Sequence, residues 1–406
     1  MYQLSFAGRD RGLARADVSG QRAWTGDSGR KSNAAPMMSD GVIPLLRPLL
    51  PTLETLSPYL RELEENRWYT NFGPLVRRFE KRLAEHVRVP AAGAAVFSNG
   101  TTALSSALIA LDIPPGKTCL VPAWAFVASA VAIWAAHLVP HFVDVSPETW
   151  MPDPRALRRR SDLAEVGAVM VVGPFGTPVE TAAWDAFSAD TGVPVIIDGA
   201  ACFDTAASVP QARPGRSQMM ISLHATKALG VGEGGFVIST DEAVVHRARH
   251  AANFGIGDSP DDESLGYNGK MSEYHAAVGL AALDGWPKRR AELESRTARY
   301  VSELSRVPSV HTSPSFGEGW VSAYCTVRID GDAGSCVERL RTLGVEARRW
   351  WRDGIHAQRI YRDCPRDALP VTQDLAAHVL SLPFSPDMTD AHIVRVVDGL
   401  AEATAS

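Results

Sequence analysis

The stretch Ser222–Phe236, SLHATKALGVGEGGF, places a single lysine between small residues and a run rich in glycine. Most lysines lie on the surface as solvated charges. Lys227 differs because it follows an apolar run typical of a buried strand and has Ala225, Thr226 and Ala228 as neighbours. Small neighbours leave space for a ligand and favour desolvation of the amine, which lowers the pKa of a lysine and makes it nucleophilic. We therefore interpret Lys227 as the candidate reactive residue of the chain.

Short apolar runs on both sides of this lysine predict the fold class. Between residues 119 and 239 they read CLVP, HFVDV, AVMVV, PVIID, MMISL and GFVIS, and helical or turn-rich segments separate them. Near-continuous apolar strands that alternate with helices are typical of α/β domains with a largely parallel, buried sheet. The sequence therefore predicts such a domain, with the lysine in a loop beside its sheet.

Two helices are predicted before these runs. The segment PLVRRFEKRLAEHV, residues 74–87, repeats apolar residues at helical spacing. The segment AAVFSNGTTALSSALIAL, residues 94–111, predicts a short strand that leads into a helix. The apolar face of this second helix is predicted to contain Leu104, Leu108 and Leu111.

The pattern of predicted helices and strands changes after Asp284-Gly285-Trp286-Pro287. KRRAELESRTARYVSELSRV predicts a long helix, and AYCTVRI, SCVERLRTLG and TDAHIVRVVDGLAEA predict one strand and two helices. We therefore predict a large domain at residues 37–285 and a smaller α+β domain at residues 286–406. Residues 1–36 are rich in Gly, Ser, Arg and Asp without periodicity, which predicts a flexible N-terminal extension.

Composition and charge exclude several classes of protein. The 406 residues carry a formal net charge of −5 with an isoelectric point near 6.1, so nucleic acid is not the expected main partner. The apolar runs fall short of the roughly 18 residues of a membrane span. The five cysteines are scattered without the CxxC spacing of metal sites, which favours a reducing cytoplasm over a disulfide framework.

One competing motif overlaps the lysine stretch. The segment Gly230–Gly235 formally matches the G-x-G-x-x-G pattern of dinucleotide-binding folds. That pattern requires a strand before it and a helix after it, whereas the strand-like run GGFVIST follows here. The chain also contains no G-x-x-x-x-G-K-[ST] loop. Dinucleotide and P-loop nucleotide binding are therefore disfavoured.

Three further features suggest a ligand site, and each has an ordinary structural alternative. Gly100–Thr102 opens a helix, where free N–H groups, the helix dipole and two hydroxyls can bind an anion, although a plain N-cap also fits. Asp198 ends the run PVIID and so faces the crevice where open α/β sheets bind ligands, unless it is a solvated loop residue. Phe126 in VPAWAFVAS offers an aromatic face, although core packing is the commoner role of a lone phenylalanine.

Together these features match the needs of one cofactor. A phosphate anchor, an aromatic face, an acid for a pyridinium nitrogen and a lysine for an imine are what pyridoxal phosphate requires. In this interpretation Asp198 keeps the ring nitrogen protonated so that the ring withdraws electrons. No metal is expected in the site.

Five motifs in colinear order closely resemble the DegT/DnrJ/EryC1/StrS family of sugar aminotransferases. They read SNGTTAL, VPAWAFVA, VIIDGAA, SLHATKALGVGEGGFV and GYNGKMSEYHAAVGLAAL. The resemblance extends from about residue 42 to residue 400. It implies the aspartate aminotransferase fold (fold type I), in which a large domain with a mostly parallel sheet between helices precedes a smaller C-terminal domain.

The resemblance implies the catalytic and ring-binding residues. Lys227 matches the lysine that binds pyridoxal phosphate as a Schiff base. Asp198 matches the acid at the ring nitrogen, and Phe126 matches the aromatic residue that stacks on the ring.

The resemblance also implies the phosphate site. Gly100, Thr101, Thr102 and Ser222 match its residues within one chain. Asn268 in GYNGKM matches an asparagine that reaches the phosphate of the neighbouring subunit. The chain is therefore expected to form a homodimer with shared active sites.

Two positions depart from the family pattern. The family usually has D-x-A-Q or D-x-A-H at the end of this strand, where D is the acid, whereas here the motif begins at Asp198 and Ala201 occupies its last position. The common N-x-R-M is changed by Lys270, which stands where the family has arginine. Both departures concern the substrate pocket rather than the core chemistry.

The expected activity is transfer of an amino group from an amino acid, L-glutamate by preference, to a keto sugar. RRWWRDGIHAQRIY, residues 348–361, resembles the small-domain segment of family members that aminate nucleoside-diphosphate 4-keto-6-deoxyhexoses, and a keto-cyclitol of antibiotic biosynthesis is an alternative acceptor. Two alternative functions belong to other functional classes. A sugar dehydratase of the same fold typically has histidine in place of Lys227. A non-catalytic regulator usually carries a fused DNA-binding module, for which residues 1–36 are too short.

Overall fold

The sheet predicted from the apolar runs is present in the computed structural model, which describes residues 41–256 and 265–405. The predicted flexible extension at residues 1–36 lies outside the described residues. Seven short, largely buried strands form the large sheet. They are β1 (Ala94–Phe97), β2 (Thr118–Pro122), β3 (Val139–Val143), β4 (Val166–Val172), β5 (Val195–Asp198), β6 (Gln218–Ser222) and β7 (Gly235–Ile238).

The strand order across this sheet is β1-β7-β6-β5-β4-β2-β3. Strands β2 to β6 pair in parallel, whereas β7 runs antiparallel to both of its neighbours, β1 and β6. Each of the six apolar runs overlaps one of the strands β2 to β7, so the predicted α/β fold with a largely parallel sheet is confirmed. Because the parallel strands share one direction, their carboxyl ends meet at one edge of the sheet.

Helices cover both faces of the large sheet. Successive strand residues alternate between two apolar clusters, because side chains along a strand point to opposite faces. The cluster on one face includes α3, α4 and α8, and the other includes α1, α2, α5, α6 and α7. The bounds are α1 (Leu53–Asn66), α2 (Pro74–Val87), α3 (Gly100–Ile109), α4 (Ala128–Ala135), α5 (Pro154–Arg158), α6 (Thr181–Thr191), α7 (Phe203–Ser208) and α8 (Glu242–Ala251).

The described residues after α8 form a second, three-stranded antiparallel sheet with flanking helices. Its strands have the order β10-β9-β8. The elements are α9 (Glu273–Leu304), β8 (Val310–Thr312), β9 (Cys325–Ile329), α10 (Ala333–Thr342), α11 (Pro370–His378), β10 (Val379–Leu382) and α12 (Asp390–Thr404). Helix α9 runs through the proposed boundary between residues 285 and 286, and the described residues form one compact unit. The division into two domains therefore stays a prediction.

Two helix predictions were wrong in their bounds. Helix α9 runs from Glu273 to Leu304, because Asp284–Pro287 does not break it into an alanine-rich helix after GYNGKM and a separate helix from residue 288, as the sequence predicts. An interior proline costs a helix about 3 kcal/mol, which the buried Trp286 and the contacts of α9 with α1, α2 and α12 offset. Helix α3 ends at Ile109, so Leu111 lies beyond its last turn rather than on its apolar face.

The described residues give two further findings. Each helix within these ranges is either too short or too polar for a transmembrane span. All five cysteines are free thiols, and four of them are buried.

Candidate active site

Asp198 is a buried carboxylate at the carboxyl edge of the large sheet. It is the last residue of β5 and is only 4% exposed. Its Oδ2 accepts a hydrogen bond from Ser129 Oγ at 2.7 Å, and its Oδ1 accepts one from the Ala200 N–H at 3.1 Å. Burial raises the pKa of Asp198, and these hydrogen bonds and the charge of Lys227 oppose the rise only in part. Each oxygen accepts one hydrogen bond, from a neutral donor, so the carboxylate retains lone pairs for a cationic N–H group.

Lys227 lies in the loop between β6 and β7, at the same edge. Its Nζ donates a hydrogen bond to Tyr324 Oη at 3.1 Å and lies 5.1 Å from the centroid of that ring. In the described part of the chain, no carboxylate comes within ion-pair distance of this amine. The amine is therefore oriented by a neutral aromatic partner and is not neutralised by an acid.

The glycines of this loop make room mainly for the chain's own backbone. Gly232 has a φ of +98°, which L-residues with a side chain rarely adopt. Gly235 packs against the start of α3, because a Cβ at this position would lie 2.6 Å from the Gly100 Cα and 2.7 Å from its nitrogen. The sequence interpretation was that small residues leave space for a ligand, and the structure adds that these glycines permit close backbone contacts. Gly235 brings the lysine loop against the start of α3.

The start of α3 forms a candidate anion site beside the lysine loop. The side chain of Asn99 caps the helix by accepting a hydrogen bond from the Thr102 N–H at 2.8 Å. The N–H groups of Gly100 and Thr101 donate to no acceptor among the described residues, as expected for the first turn of a helix. A Cβ at Gly100 would lie 3.2 Å from the Ser222 hydroxyl oxygen, so this hydroxyl adjoins the free N–H groups. Together they can bind a phosphate.

Thr102 is oriented differently from the other residues of this turn. Its N–H is already used by the Asn99 cap. Its methyl group faces Gly269, where a Cβ would lie only 2.5 Å away. Thr102 therefore contributes to the cap and to packing more directly than to the anion site.

Phe126 presents an exposed aromatic face near Asp198. The phenylalanine side chain is 55% exposed, which is unusual for a residue of this size. Its carbonyl oxygen accepts a hydrogen bond from the Ser129 N–H at 3.2 Å, and the Ser129 hydroxyl binds Asp198. One turn of chain therefore joins the aromatic ring to the buried acid.

Asn268 lies between two residues, Tyr267 and Gly269, that both contact Thr102. It is exposed and pairs through its backbone with Asn253, and the next residue, Gly269, accepts a hydrogen bond from the Ser98 N–H at 2.8 Å. The Asn268 side chain has no hydrogen-bond partner within residues 41–256 and 265–405. Its backbone is fixed, whereas its amide remains available to another molecule.

Two residues of the site were missed by the sequence analysis. Ser129 touches Asp198, and it lies only three residues after Phe126 within the quoted motif VPAWAFVAS. Its proximity to the aromatic residue was the available signal. Tyr324 touches Lys227 from 97 positions away, and no local pattern marks it.

The sequence profile of the DegT/DnrJ/EryC1/StrS aminotransferase family matches residues 53–401. The chain belongs to this family. It is therefore a pyridoxal phosphate-dependent aminotransferase, as the resemblance predicted.

Individual relatives cover most of the aminotransferase. Protein Rv3402c of Mycobacterium tuberculosis is 32% identical over 384 residues, which cover 89% of this chain and 90% of the relative. A dTDP-4-amino-4,6-dideoxy-D-glucose transaminase of Escherichia coli is 29% identical over 377 residues, which cover 88% and 98%. The structure of DesI with its TDP-sugar product has a TM-score of 0.81 at 30% identity, covering 90% of this chain and 94% of that one. These matches confirm the fold type I prediction.

The contact between Gly235 and the start of α3 gives a first test of the aminotransferase site. We expect Gly235→Ala to weaken pyridoxal phosphate binding by about tenfold or more, because a Cβ within 3 Å of backbone must push α3 away from Ser222. Spectroscopic titration of the apoenzyme measures this affinity. Gly285→Ala is the matched control: its Cβ meets nothing within 4 Å, and it should stabilise α9 by up to about 1 kcal/mol. Equal affinities in the two variants would contradict the assignment.

Proposed function

We propose that Lys227 binds pyridoxal phosphate covalently, that Asp198 binds its ring nitrogen, and that the start of α3 with Ser222 binds its phosphate. The fit rests on this chain's geometry. The buried Asp198 has only neutral hydrogen-bond donors, and burial disfavours its charge, so a cationic ring N–H is the partner that it lacks. The free N–H groups at Gly100 and Thr101 supply donors for phosphate oxygens.

When bound, pyridoxal phosphate would supply an aldehyde carbon that takes up the amino group and a ring that withdraws electrons. Lys227 is the base in this proposal: its free amine would move the proton of the donor carbon. Tyr324 orients that amine through the 3.1 Å hydrogen bond. Asp198, shielded from water, holds a proton on the ring nitrogen.

We propose L-glutamate as the donor and a nucleoside-diphosphate 4-keto-6-deoxyhexose as the acceptor. Support for the acceptor comes from relatives that align with most of this chain. The E. coli transaminase is named for dTDP-4-amino-4,6-dideoxy-D-glucose, and DesI was solved with a TDP-sugar product. Another relative, of Streptomyces venezuelae, is a dTDP-3-amino-3,4,6-trideoxy-α-D-glucose transaminase at 28% identity. The carbon that is aminated thus differs among relatives.

An aromatic wall next to Lys227 supports a sugar acceptor. Tyr324 packs edge-on against Phe175 at 6.0 Å and against Trp350 at 5.8 Å between ring centroids. Trp350 belongs to the segment RRWWRDGIHAQRIY, and its indole N–H is buried without an acceptor among the described residues. Aromatic faces with a few polar groups are typical of small-molecule sites.

Incubation of the cofactor-loaded enzyme with glutamate and a panel of keto sugars tests the proposed reaction. We expect glutamate alone to yield 2-oxoglutarate and to shift the cofactor spectrum to that of pyridoxamine phosphate. Mass spectrometry should then find an amino group in place of the carbonyl oxygen in a nucleoside-diphosphate 4-keto-6-deoxyhexose. A product that has only lost water would indicate a dehydratase, and an unchanged spectrum would indicate a binding protein.

We also propose a homodimer in which Asn268 reaches the phosphate of the partner. Three aromatic residues are exposed: Phe254, whose N–H donates to the Tyr267 carbonyl oxygen, is 55% exposed, and Tyr69 and Tyr274 stack on each other while remaining 45% and 52% exposed. Such residues on a monomer surface are typical of an interface. The alternative is that Asn268 serves its own chain, because Gly269 adjoins Thr102.

Complementation distinguishes these two arrangements. Lys227→Ala cannot bind the cofactor covalently, and Asn268→Asp places a carboxylate beside the phosphate. If sites are shared, each mixed dimer has one doubly altered site and one intact site. Random mixing after gentle dissociation should therefore restore about a quarter of the wild-type activity.

The same mixture yields the opposite result if Asn268 acts within its own chain. Every site then keeps one altered residue. Activity would not rise above the sum of the two variants, and the shared-site proposal would fail. Gel filtration of each variant beforehand establishes that both still assemble.

We further propose that the enzyme works in the cytoplasm. The support is the state of its cysteines, which are unpatterned in sequence and free in the structure. Fractionation of native cells with an antibody against the chain tests this location.

A further inference from the structure

A buried turn after β4 holds a phenylalanine in a backbone conformation that residues other than glycine rarely adopt. Phe175 has a φ of +55° and a ψ of +17°, and Gly176 follows it with a φ of +101°. Both residues are buried. A left-handed conformation at a bulky residue costs free energy and persists only where the surrounding contacts fix it. The contacts of Phe175 therefore indicate what this turn positions.

One of these contacts is a hydrogen bond from a fully buried serine. The Ser322 hydroxyl donates to the Phe175 carbonyl oxygen at 2.6 Å. No other group among the described residues donates to this oxygen. The packing around the bond is tight, because a Cβ at Gly176 would lie 3.0 Å from the Ser322 hydroxyl oxygen. Since a buried carbonyl without a donor is unfavourable, Ser322 stabilises the strained peptide of Phe175.

The Phe175 ring packs against Tyr324, which is the partner of Lys227. The centroids of the two aromatic rings are 6.0 Å apart, and their planes meet at 69°. The Phe175 ring also stacks on Trp351 at 4.3 Å, which limits its movement. Tyr324 Oη accepts the 3.1 Å hydrogen bond from Lys227 Nζ. A continuous series of contacts therefore joins the Ser322 hydroxyl to the lysine amine.

The chain segment that carries Ser322 is fixed by a separate contact. The N–H of the preceding residue, Val321, donates to Asp204 Oδ2 at 2.9 Å. Asp204 is 1% exposed, and its Oδ1 accepts a hydrogen bond from Arg290 Nε at 2.8 Å. Because this segment is held independently, loss of the Ser322 hydroxyl should displace the strained turn at Phe175 rather than the segment itself.

We propose that Ser322 is a positioning residue for the reaction at Lys227. Its hydroxyl holds the Phe175 carbonyl, and the Phe175 ring in turn keeps the Tyr324 hydroxyl on the lysine amine. The proposal rests on the proposed role of Lys227 as the base. Without the Ser322 hydroxyl the turn relaxes, and the amine loses its orientation. A displacement of about 1 Å in a reacting group can cost about a hundredfold in rate.

Ser322→Ala tests the proposal in the cofactor-loaded enzyme with glutamate as the donor. We expect kcat for release of 2-oxoglutarate to fall by about tenfold or more, because the base is no longer oriented. The KM for glutamate should change by less than about twofold, because the fully buried Ser322 cannot contact a substrate.

Ser239→Ala is the matched control. Ser239 is also fully buried, and its hydroxyl donates to the Arg216 carbonyl oxygen at 2.7 Å. It follows the end of β7, at the edge of the large sheet opposite to Ser222. Loss of either hydroxyl should lower the Tm, whereas only Ser322→Ala should lower kcat. An equal kcat in the two variants would assign Ser322 a structural role only and overturn the proposal.

A double-mutant cycle with Tyr324→Phe tests whether Ser322 acts through Tyr324. This substitution keeps the ring but removes the hydroxyl that binds Lys227, so it should also lower kcat by about tenfold or more. In that background, Ser322→Ala should lower kcat further by less than about twofold. Two effects that multiply, or a Tyr324→Phe variant with normal kcat, would overturn the proposal. If Ser322→Ala does not fold, Ser322→Cys provides the same comparison, because a thiol of similar size is a weak donor.

Crystal structures of the wild-type and Ser322→Ala apoenzymes give a readout that does not depend on turnover. In the variant we expect Phe175 to leave the left-handed region and Lys227 Nζ to lie beyond hydrogen-bond distance of Tyr324 Oη. An unchanged contact between these two groups would overturn the proposal even if kcat falls. If the wild-type enzyme forms no 2-oxoglutarate from glutamate, the proposed function is contradicted, and the two structures still decide the role of Ser322.

Discussion

Lys227→Ala should reduce transamination by about 10⁴-fold or more, because the variant loses both the covalent anchor and the proton-transfer base. The structure offers no substitute, since no other lysine contacts Tyr324 among the described residues. The variant should still fold, because the lysine amine makes one hydrogen bond and no ion pair. Release of 2-oxoglutarate from glutamate measures the loss.

Lys288→Ala is the control for this variant. It removes a lysine whose side chain is 87% exposed and whose closest acid, Glu292, lies 4.0 Å away. Exposed pairs of this kind contribute little to stability, so activity should stay near that of the wild type. Substantial transamination by Lys227→Ala would show that another residue carries the proton.

Asp198→Asn should lower kcat by about a hundredfold or more while retaining much of the cofactor affinity. A neutral amide cannot hold a proton on the ring nitrogen, and hydrogen bonds to charged groups contribute about 1.5–3 kcal/mol each. The phosphate contacts at α3 and the stacking face of Phe126 remain in place. Cofactor content and turnover, measured on the same preparation, separate binding from chemistry.

The same substitution has a distinct effect on the apoenzyme. The folded-state pKa of Asp198 is raised by burial, so its ionised form is less favourable in the folded chain than in the unfolded chain. The free energy of unfolding therefore falls as the pH rises from the unfolded-state pKa of Asp198 through its higher folded-state pKa. Above that range the buried charge destabilises the folded apoenzyme, and asparagine does not carry this charge. We expect the apoenzyme Tm of Asp198→Asn to equal or exceed that of the wild type. A lower Tm with near-normal kcat would indicate a structural role only.

The sheet and its polar edge could be predicted because the information is local. Asp198 ends an apolar strand and Gly100 opens a helix, and parallel strands bring such ends together at one edge. Lys227 was recognised from its small neighbours within one loop.

The contacts that complete the site could not be predicted in this way. Ser129 and Asp198 are 69 positions apart, and Lys227 and Tyr324 are 97 positions apart, so only the folded chain joins them. The continuity of α9 through Asp284–Pro287 was missed for a related reason. Asp284–Pro287 has the composition of a break, and tertiary packing of the helix overrides that local preference.

The covalent attachment of the cofactor is the central claim, and borohydride reduction followed by peptide mass mapping tests it most directly. Reduction fixes pyridoxal phosphate permanently to the lysine that binds it. We expect the added mass on the peptide that contains Lys227. The other lysines of the chain serve as internal controls: Lys31, Lys81, Lys117, Lys270 and Lys288. An adduct on any of these five, with Lys227 unmodified, would contradict the assignment of the site.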